Sequence, residues 1–211
     1  MTRPGEITAL VLAGGRGSRM DGRDKGLQAF QGQPLVAHAL ERLRRQEGGL
    51  VGPLMISANR HLPDYRRLAV PVWPDADAEF AGPLAGVLSG LTHCTTPLLL
   101  TVPCDCPRFP LDLARRLAAA MDSDTDVVVA AAPELPGGEC RPQPVFALFR
   151  RTLREPLQTF LDGGGRAIFR WMNALRTVVV RFDQVSDDPH AFANANTLAD
   201  LSALAALPRP S

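Results

Sequence analysis

One lysine stands among 22 arginines, and it falls in the only stretch dense in both glycine and charge. That stretch reads Leu12-Ala13-Gly14-Gly15-Arg16-Gly17-Ser18-Arg19-Met20-Asp21-Gly22-Arg23-Asp24-Lys25-Gly26-Leu27. An ammonium is a compact point charge, whereas a guanidinium is a broad planar fork. Keeping the smaller cation at Lys25 suits a narrow anionic pocket such as one that holds phosphates. The glycines let backbone N–H groups approach an anion with no Cβ in the way, and Arg16, Arg19 and Arg23 add positive charge to the same segment. Polyphosphate binding is the chemistry these residues support. Two other phosphate loops are excluded by spelling. Lys25 is preceded by Asp24 and followed by Gly26, where a Walker A loop needs Gly-Lys and then Ser or Thr. The spacing Gly15-x-Gly17 meets Met20 where a dinucleotide fingerprint needs glycine.

Polyphosphate chemistry usually calls for a divalent ion, and Mg2+ is held by one or two carboxylates plus substrate phosphate oxygens. Asp105 is the first candidate. It follows the apolar run Leu98-Leu99-Leu100-Thr101-Val102, whose strand would deliver it to the same sheet edge as the glycine loop. Its other reading is a cap on the Pro107–Pro110 turn. Asp75, after Val72-Trp73-Pro74, is a second acid in a similar position. Asn59, just past a strand ending at Ser57, has an amide suited to a base edge or a sugar, or is simply a turn residue. Cys94, Cys104, Cys106 and Cys140 have neither the paired spacing nor the histidine company of a zinc site, and read as small buried side chains. His38, His61, His93 and His190 are scattered and suggest no Ser/His/Asp arrangement.

These residues need a scaffold, and the chain outlines one. Apolar runs at Ile7–Leu12, Pro53–Ser57, Pro97–Val102, Val127–Ala132, Pro144–Phe149 and Thr177–Phe182 read as strands. Helical spacing appears at Pro34–Arg45, Pro83–Leu91, Leu111–Met121, Leu153–Leu161 and near Trp171. Thr197 with Asp200 three residues on resembles a capping box, so Leu198–Leu207 is expected as a closing helix. Alternation of this kind predicts an α/β sandwich on a mostly parallel sheet. Ligands of such sheets gather outside the carboxyl ends of the strands.

Composition removes other classes. With 211 residues, 45% of them hydrophobic, there is ample material for a core. A net charge of +1 argues against a nucleic-acid or anionic-membrane surface. No run of about 18 apolar residues is present to span a bilayer, and the opening residues lack the apolar core of a signal peptide. A cytoplasmic location is the expectation.

Taken together, the motifs resemble those of the molybdenum cofactor guanylyltransferases, the MobA family. The spelling Leu-Ala-Gly-Gly-x-x-x-Arg-Met-x-Gly-x-Asp-Lys-Gly-Leu at Leu12–Leu27 looks like that family's signature. Similarity continues at Ser57-Ala58-Asn59-Arg60, at Phe80-Ala81-Gly82-Pro83-Leu84-Ala85-Gly86, and at Val102-Pro103-Cys104-Asp105. Gln143-Pro144-Val145-Phe146 and Phe192-Ala193-Asn194-Ala195-Asn196-Thr197 match two later motifs. Asp21 stands where glycine is common, and Pro136–Cys140 departs from the usual form.

The resemblance implies a three-layer Rossmann-like nucleotidyltransferase fold in one domain, residues 1–211. Its N-terminal half would bind GTP and its C-terminal half molybdopterin. The reaction implied is transfer of GMP from GTP to molybdenum-molybdopterin, with release of pyrophosphate. Leu12, Ala13, Gly14 and Gly15 would contact the nucleotide through their backbone, Arg19 and Lys25 would neutralise the triphosphate, and Asp105 would hold Mg2+. Asn59 and Asp75 resemble further GTP contacts, and Asn194 and Asn196 would face the pterin unless they only cap the last helix. A molybdopterin-delivering protein and apo-molybdoenzymes are the partners implied. Two alternatives stay open: a cytidylyltransferase or sugar-phosphate nucleotidyltransferase built on the same loop, lysine and acid, and a non-catalytic carrier of molybdopterin.

Overall fold

A computed structural model describes residues 2–13, 24–75, 82–133 and 138–207. Nine strands and seven helices alternate along them. In chain order they are β1 (Ile7–Leu12), β2 (Ala29–Phe30), β3 (Gln33–Pro34), α1 (Leu35–Arg44), β4 (Val51–Ser57), α2 (Leu62–Arg66), β5 (Val72–Trp73), α3 (Pro83–His93) and β6 (Leu98–Pro103). There follow α4 (Leu113–Ala119), β7 (Val127–Pro133), β8 (Cys140–Arg150), α5 (Arg154–Asp162), α6 (Ile168–Met172), β9 (Thr177–Arg181) and α7 (Leu198–Ala206).

Seven strands form one sheet in the order β5-β4-β1-β6-β8-β7-β9. β8 runs against β6 and β7, and the other pairings are parallel. Strand β1 shows why both faces must be covered. Its Ile7, Ala9 and Val11 join Val36, Leu40, Leu113 and Leu117 of α1 and α4, while Leu10 joins Leu84, Leu88 and Leu157 of α3 and α5. Alternating side chains therefore enter two separate apolar layers, and the result is the three-layer α/β arrangement expected from the sequence.

Helix α3 lies close on the sheet because two residues of its contact face, Gly86 and Gly90, carry no Cβ. A Cβ on Gly86 would stand 2.6 Å from Leu12 Cδ2, and one on Gly90 would stand 2.6 Å from Leu10 Cδ2. Both distances are far inside van der Waals contact, so a branched side chain must push the helix outward. Gly90→Val is expected to cost about 3 kcal/mol of stability through overpacking, read as a lowered urea midpoint; an unchanged midpoint would mean that the layer has slack.

Three features differ from the sequence-based expectation. The β2–β3 hairpin, α2 and β5 have no counterpart in the sequence pattern, because elements of two to five residues are too short to show a period. Strand β8 begins at Cys140 rather than Pro144. Its Pro142 is tolerated because that end of β8 pairs only with β7, whereas pairing to β6 spans Ala147–Arg150. Cys140 is half-buried, unlike Cys94, Cys104 and Cys106, which are buried as expected.

Candidate active site

From β1 the chain crosses to β4 on one flank, continues to β5, and returns through α3 to β6 on the other flank of β1. The strand order thus reverses between β1 and β6, where Leu12 stands opposite Pro103. Open α/β sheets bind ligands in the crevice outside the carboxyl ends at such a switch point. Asp105 follows β6, so the topology delivers it to this crevice.

Lys25 begins a single 3-10 turn, Lys25–Leu27. Its ammonium forms an ion pair with Asp105 Oδ2 and donates to Asn196 Oδ1 at 2.6 Å. The lysine and aspartate side chains are 23% and 18% exposed, so the pair is shielded yet open on one side. Asn196 reaches it from 171 positions away. That approach is built by packing: Ala195, Leu201 and Leu204 join Phe30 and Leu35 in a small apolar cluster that docks α7 beside the hairpin. The Ala195 N–H donates to the Asp105 carbonyl at 2.9 Å.

The capping box seen in the sequence is present. Thr197 Oγ1 accepts from the Asp200 N–H at 3.1 Å, and Asp200 Oδ2 accepts from the Asn196 and Thr197 N–H groups at 2.8 Å. Helix α7 is therefore capped by Thr197 and Asp200, while the Asn196 side chain serves Lys25. Asn194 Oδ1 accepts from the Cys106 thiol. The Asp105 carboxylate is likewise spent on Lys25 and Cys106 rather than on the Pro107–Pro110 turn.

A second cluster sits at the ends of β4 and β5. Asn59 Nδ2 donates to Asp75 Oδ2 at 2.6 Å, and the Asp75 N–H returns a bond to Asn59 Oδ1 at 2.8 Å. The other Asp75 oxygen accepts from Ser57 Oγ at 2.9 Å. Ser57, which the sequence placed at a strand end and in the Ser57–Arg60 segment without a role of its own, is a contributor here. Ala13 is buried, and its N–H donates to the Ser57 carbonyl at 2.9 Å. That amide is committed to the scaffold, so Ala13 has only its carbonyl to offer a ligand. Leu12, half-buried, ends β1 beside it. Gly14, Gly15 and Arg19 lie outside the described residues.

Nucleophilic thiol chemistry is disfavoured here. Burial, and then the neighbouring Asp105 charge, push the Cys104 and Cys106 thiols well above the usual range, which keeps them protonated. A divalent cation fits better. Asp105 and Asn196 each aim an oxygen at one cation, the Lys25 ammonium, and oxygens are the donors Mg2+ prefers. Among the described residues no group of three or more His, Cys, Asp or Glu is placed to hold a metal. A cation held by one carboxylate and completed by substrate oxygens agrees with that sparse set.

A mostly parallel sheet whose switch-point crevice holds a lysine between two side-chain oxygens is the arrangement of a nucleotidyltransferase. Residues 9–203 match the MobA-like NTP transferase domain. A molybdenum cofactor guanylyltransferase of Acidovorax sp. (strain JS42) is 58% identical over 207 residues, covering 96% of each chain. Its counterpart in Bordetella petrii is 54% identical over 200 residues, covering 94% of this chain and 97% of the relative. The fold matches the crystal structure of molybdopterin-guanine dinucleotide biosynthesis protein A from Archaeoglobus fulgidus, with TM-score 0.71 and 19% identity over 93% and 95% of the two chains. The chain belongs to the molybdenum cofactor guanylyltransferase family. Among the described residues no helix is long and apolar enough to cross a membrane.

Proposed function

We propose that the protein transfers GMP from GTP to the terminal phosphate of molybdenum-molybdopterin, forming the guanine dinucleotide cofactor and pyrophosphate. One observation carries this reading: Lys25, Asp105 and Asn196 converge at the switch point of a chain that shares 58% identity with a named guanylyltransferase over nearly its full length. A terminal phosphate oxygen of the pterin attacks the α-phosphorus of GTP. A P–O bond forms there as the bond to the β-phosphate oxygen breaks, and pyrophosphate carries away the electron pair. The attacking oxygen is already anionic, so no general base is required. The protein must align two anions and stabilise a third.

Lys25 and Arg19 would neutralise charge on the triphosphate and the leaving group. The backbone of Leu12, Gly14 and Gly15, with the Ala13 carbonyl, would line the nucleotide, and Asn59 and Asp75 would contact its sugar or base. Asp105, with Asn196 beside it, would hold Mg2+, which supplies positive charge against the phosphate oxygens. Asn194 and Asn196 would also border the pterin. In this reading residues 1–211 act as one cytoplasmic domain, nucleotide on the N-terminal half and pterin on the C-terminal half. A molybdopterin-delivering protein and apo-molybdoenzymes would be its partners.

Competition tests the choice of base. Incubated anaerobically with molybdenum-molybdopterin, Mg2+ and equal GTP and CTP, the protein is expected to yield the guanine dinucleotide almost alone. A predominance of the cytosine product would reassign the base, and no product with either would favour the sugar-phosphate nucleotidyltransferase or the carrier alternative.

A further inference from the structure

The turn that carries Lys25 makes a buried contact that lies outside the residues assigned so far. Tyr65 of α2 is 0% exposed, and its hydroxyl donates to Asp24 Oδ1 at 2.5 Å. The same Asp24 oxygen accepts the Gly26 N–H at 3.1 Å, and the Asp24 carbonyl accepts from Gln28 Nε2 at 3.2 Å. Asp24, on one side of Lys25, is therefore tied to a buried phenol, and Gly26, on the other side, is tied to the same Asp24 oxygen. Gly26 is buried as well, and a Cβ there would overlap the Tyr65 hydroxyl. Tyr65 is otherwise surrounded by core: it joins the apolar layer formed by β1, α1 and α4.

We propose that Tyr65 and Asp24 are positioning residues that fix the turn at Lys25 and so hold its ammonium toward Asp105 and the incoming triphosphate. The proposal rests on the role given to Lys25 above. A long, flexible lysine stem gains most from a rigid base, since every rotamer frozen before the reaction is one less to freeze in the transition state. Burial, and then the bond to Asp24, push the Tyr65 phenol far above its ordinary value, so it remains a donor throughout the working pH range. Tyr65 is also tied to the second cluster: α2 starts only two residues beyond Asn59–Arg60, so one short segment carries both the Asn59 amide and the phenol that steadies Lys25.

Asp24 has a competing role, as a second carboxylate for the metal, and Tyr65 has one as mere core filling. A double-mutant cycle separates them. Turnover is measured with GTP, Mg2+ and molybdenum-molybdopterin for Tyr65→Phe, in the presence of Lys25 and in the Lys25→Ala background. With Lys25 present, Tyr65→Phe is expected to lower kcat about tenfold, the scale of a lost charge-assisted hydrogen bond. In Lys25→Ala the same change should cost no more than about twofold, because nothing is left to aim. Equal losses in both backgrounds, or none with Lys25 present, would overturn the proposal. Asp24→Asn keeps an oxygen for both donors and should lose far less than Asp24→Ala; equal losses would point to the charge itself and overturn it too. Should Tyr65→Phe unfold, the Asp24 pair tests the same hydrogen bond from its acceptor side. Should Lys25→Ala turn over like the unaltered protein, the assignment of the site fails, not only its positioning.

Discussion

Asp105→Asn is expected to lower guanylyl transfer by about 10³-fold, near 4 kcal/mol on the barrier. The substitution keeps the side chain's shape and one oxygen, so the Ala195 N–H bond to the residue 105 carbonyl and the docking of α7 should survive. What disappears is the negative charge that faces Lys25 and would hold Mg2+. The loss is therefore electrostatic, and it should persist at saturating GTP because it acts on a bond-breaking step in which charge moves toward pyrophosphate. Rates at rising Mg2+ check the cause: the variant should need far more metal to reach its lower plateau. Turnover within threefold of the unaltered protein, with an unchanged Mg2+ requirement, would remove Asp105 from the chemistry.

Lys25→Ala comes next, with an expected loss of about 10²-fold in kcat, or roughly 2.7 kcal/mol. The ammonium touches Asp105 and Asn196 across the crevice, and its removal leaves the Asp105 carboxylate without its ion pair. Two anionic substrates would then approach an unscreened carboxylate. Lys25→Arg is the more informative variant. The chain tolerates arginine at 22 other positions, yet a planar guanidinium does not occupy the space of an ammonium held between two oxygens. Arginine should therefore restore less than about a tenth of the lost activity in the same kcat assay. Recovery to near the original rate would show that charge alone matters and that the narrow pocket is not used.

The elements that carry the site were legible because they repeat. Strands β1 and β6 are apolar runs with one threonine each, Thr8 and Thr101, buried on both faces, and in the sequence each is followed closely by its chemistry, the glycine segment and Asp105. Thr197 and Asp200 declared the start of α7 by spacing, and both halves of the box are formed. The residues that steady the site were not legible. Tyr65 lies in a five-residue helix with no period to reveal it, and its partner Asp24 looks like one more charge in a charged loop. Ser57 reads as an ordinary strand end until β5 brings Asp75 beside it. Asn196 could be linked to the molybdenum cofactor family by resemblance. That it meets Lys25 depends on packing of α7 against Phe30 and Leu35, a contact between opposite ends of the chain. Long-range side-chain partners of this kind leave no local trace.

Tracing the phosphorus tests the central claim most directly. GTP labelled at the α-phosphate, and separately at the γ-phosphate, is incubated with molybdenum-molybdopterin, Mg2+ and the protein, and the pterin product is separated from pyrophosphate. The α-label is expected in the dinucleotide, in equal amount to pyrophosphate released, and the γ-label in pyrophosphate alone. Transfer of the γ-label to the pterin, or release of label without any pterin product, would contradict nucleotidyl transfer at the Lys25–Asp105 site.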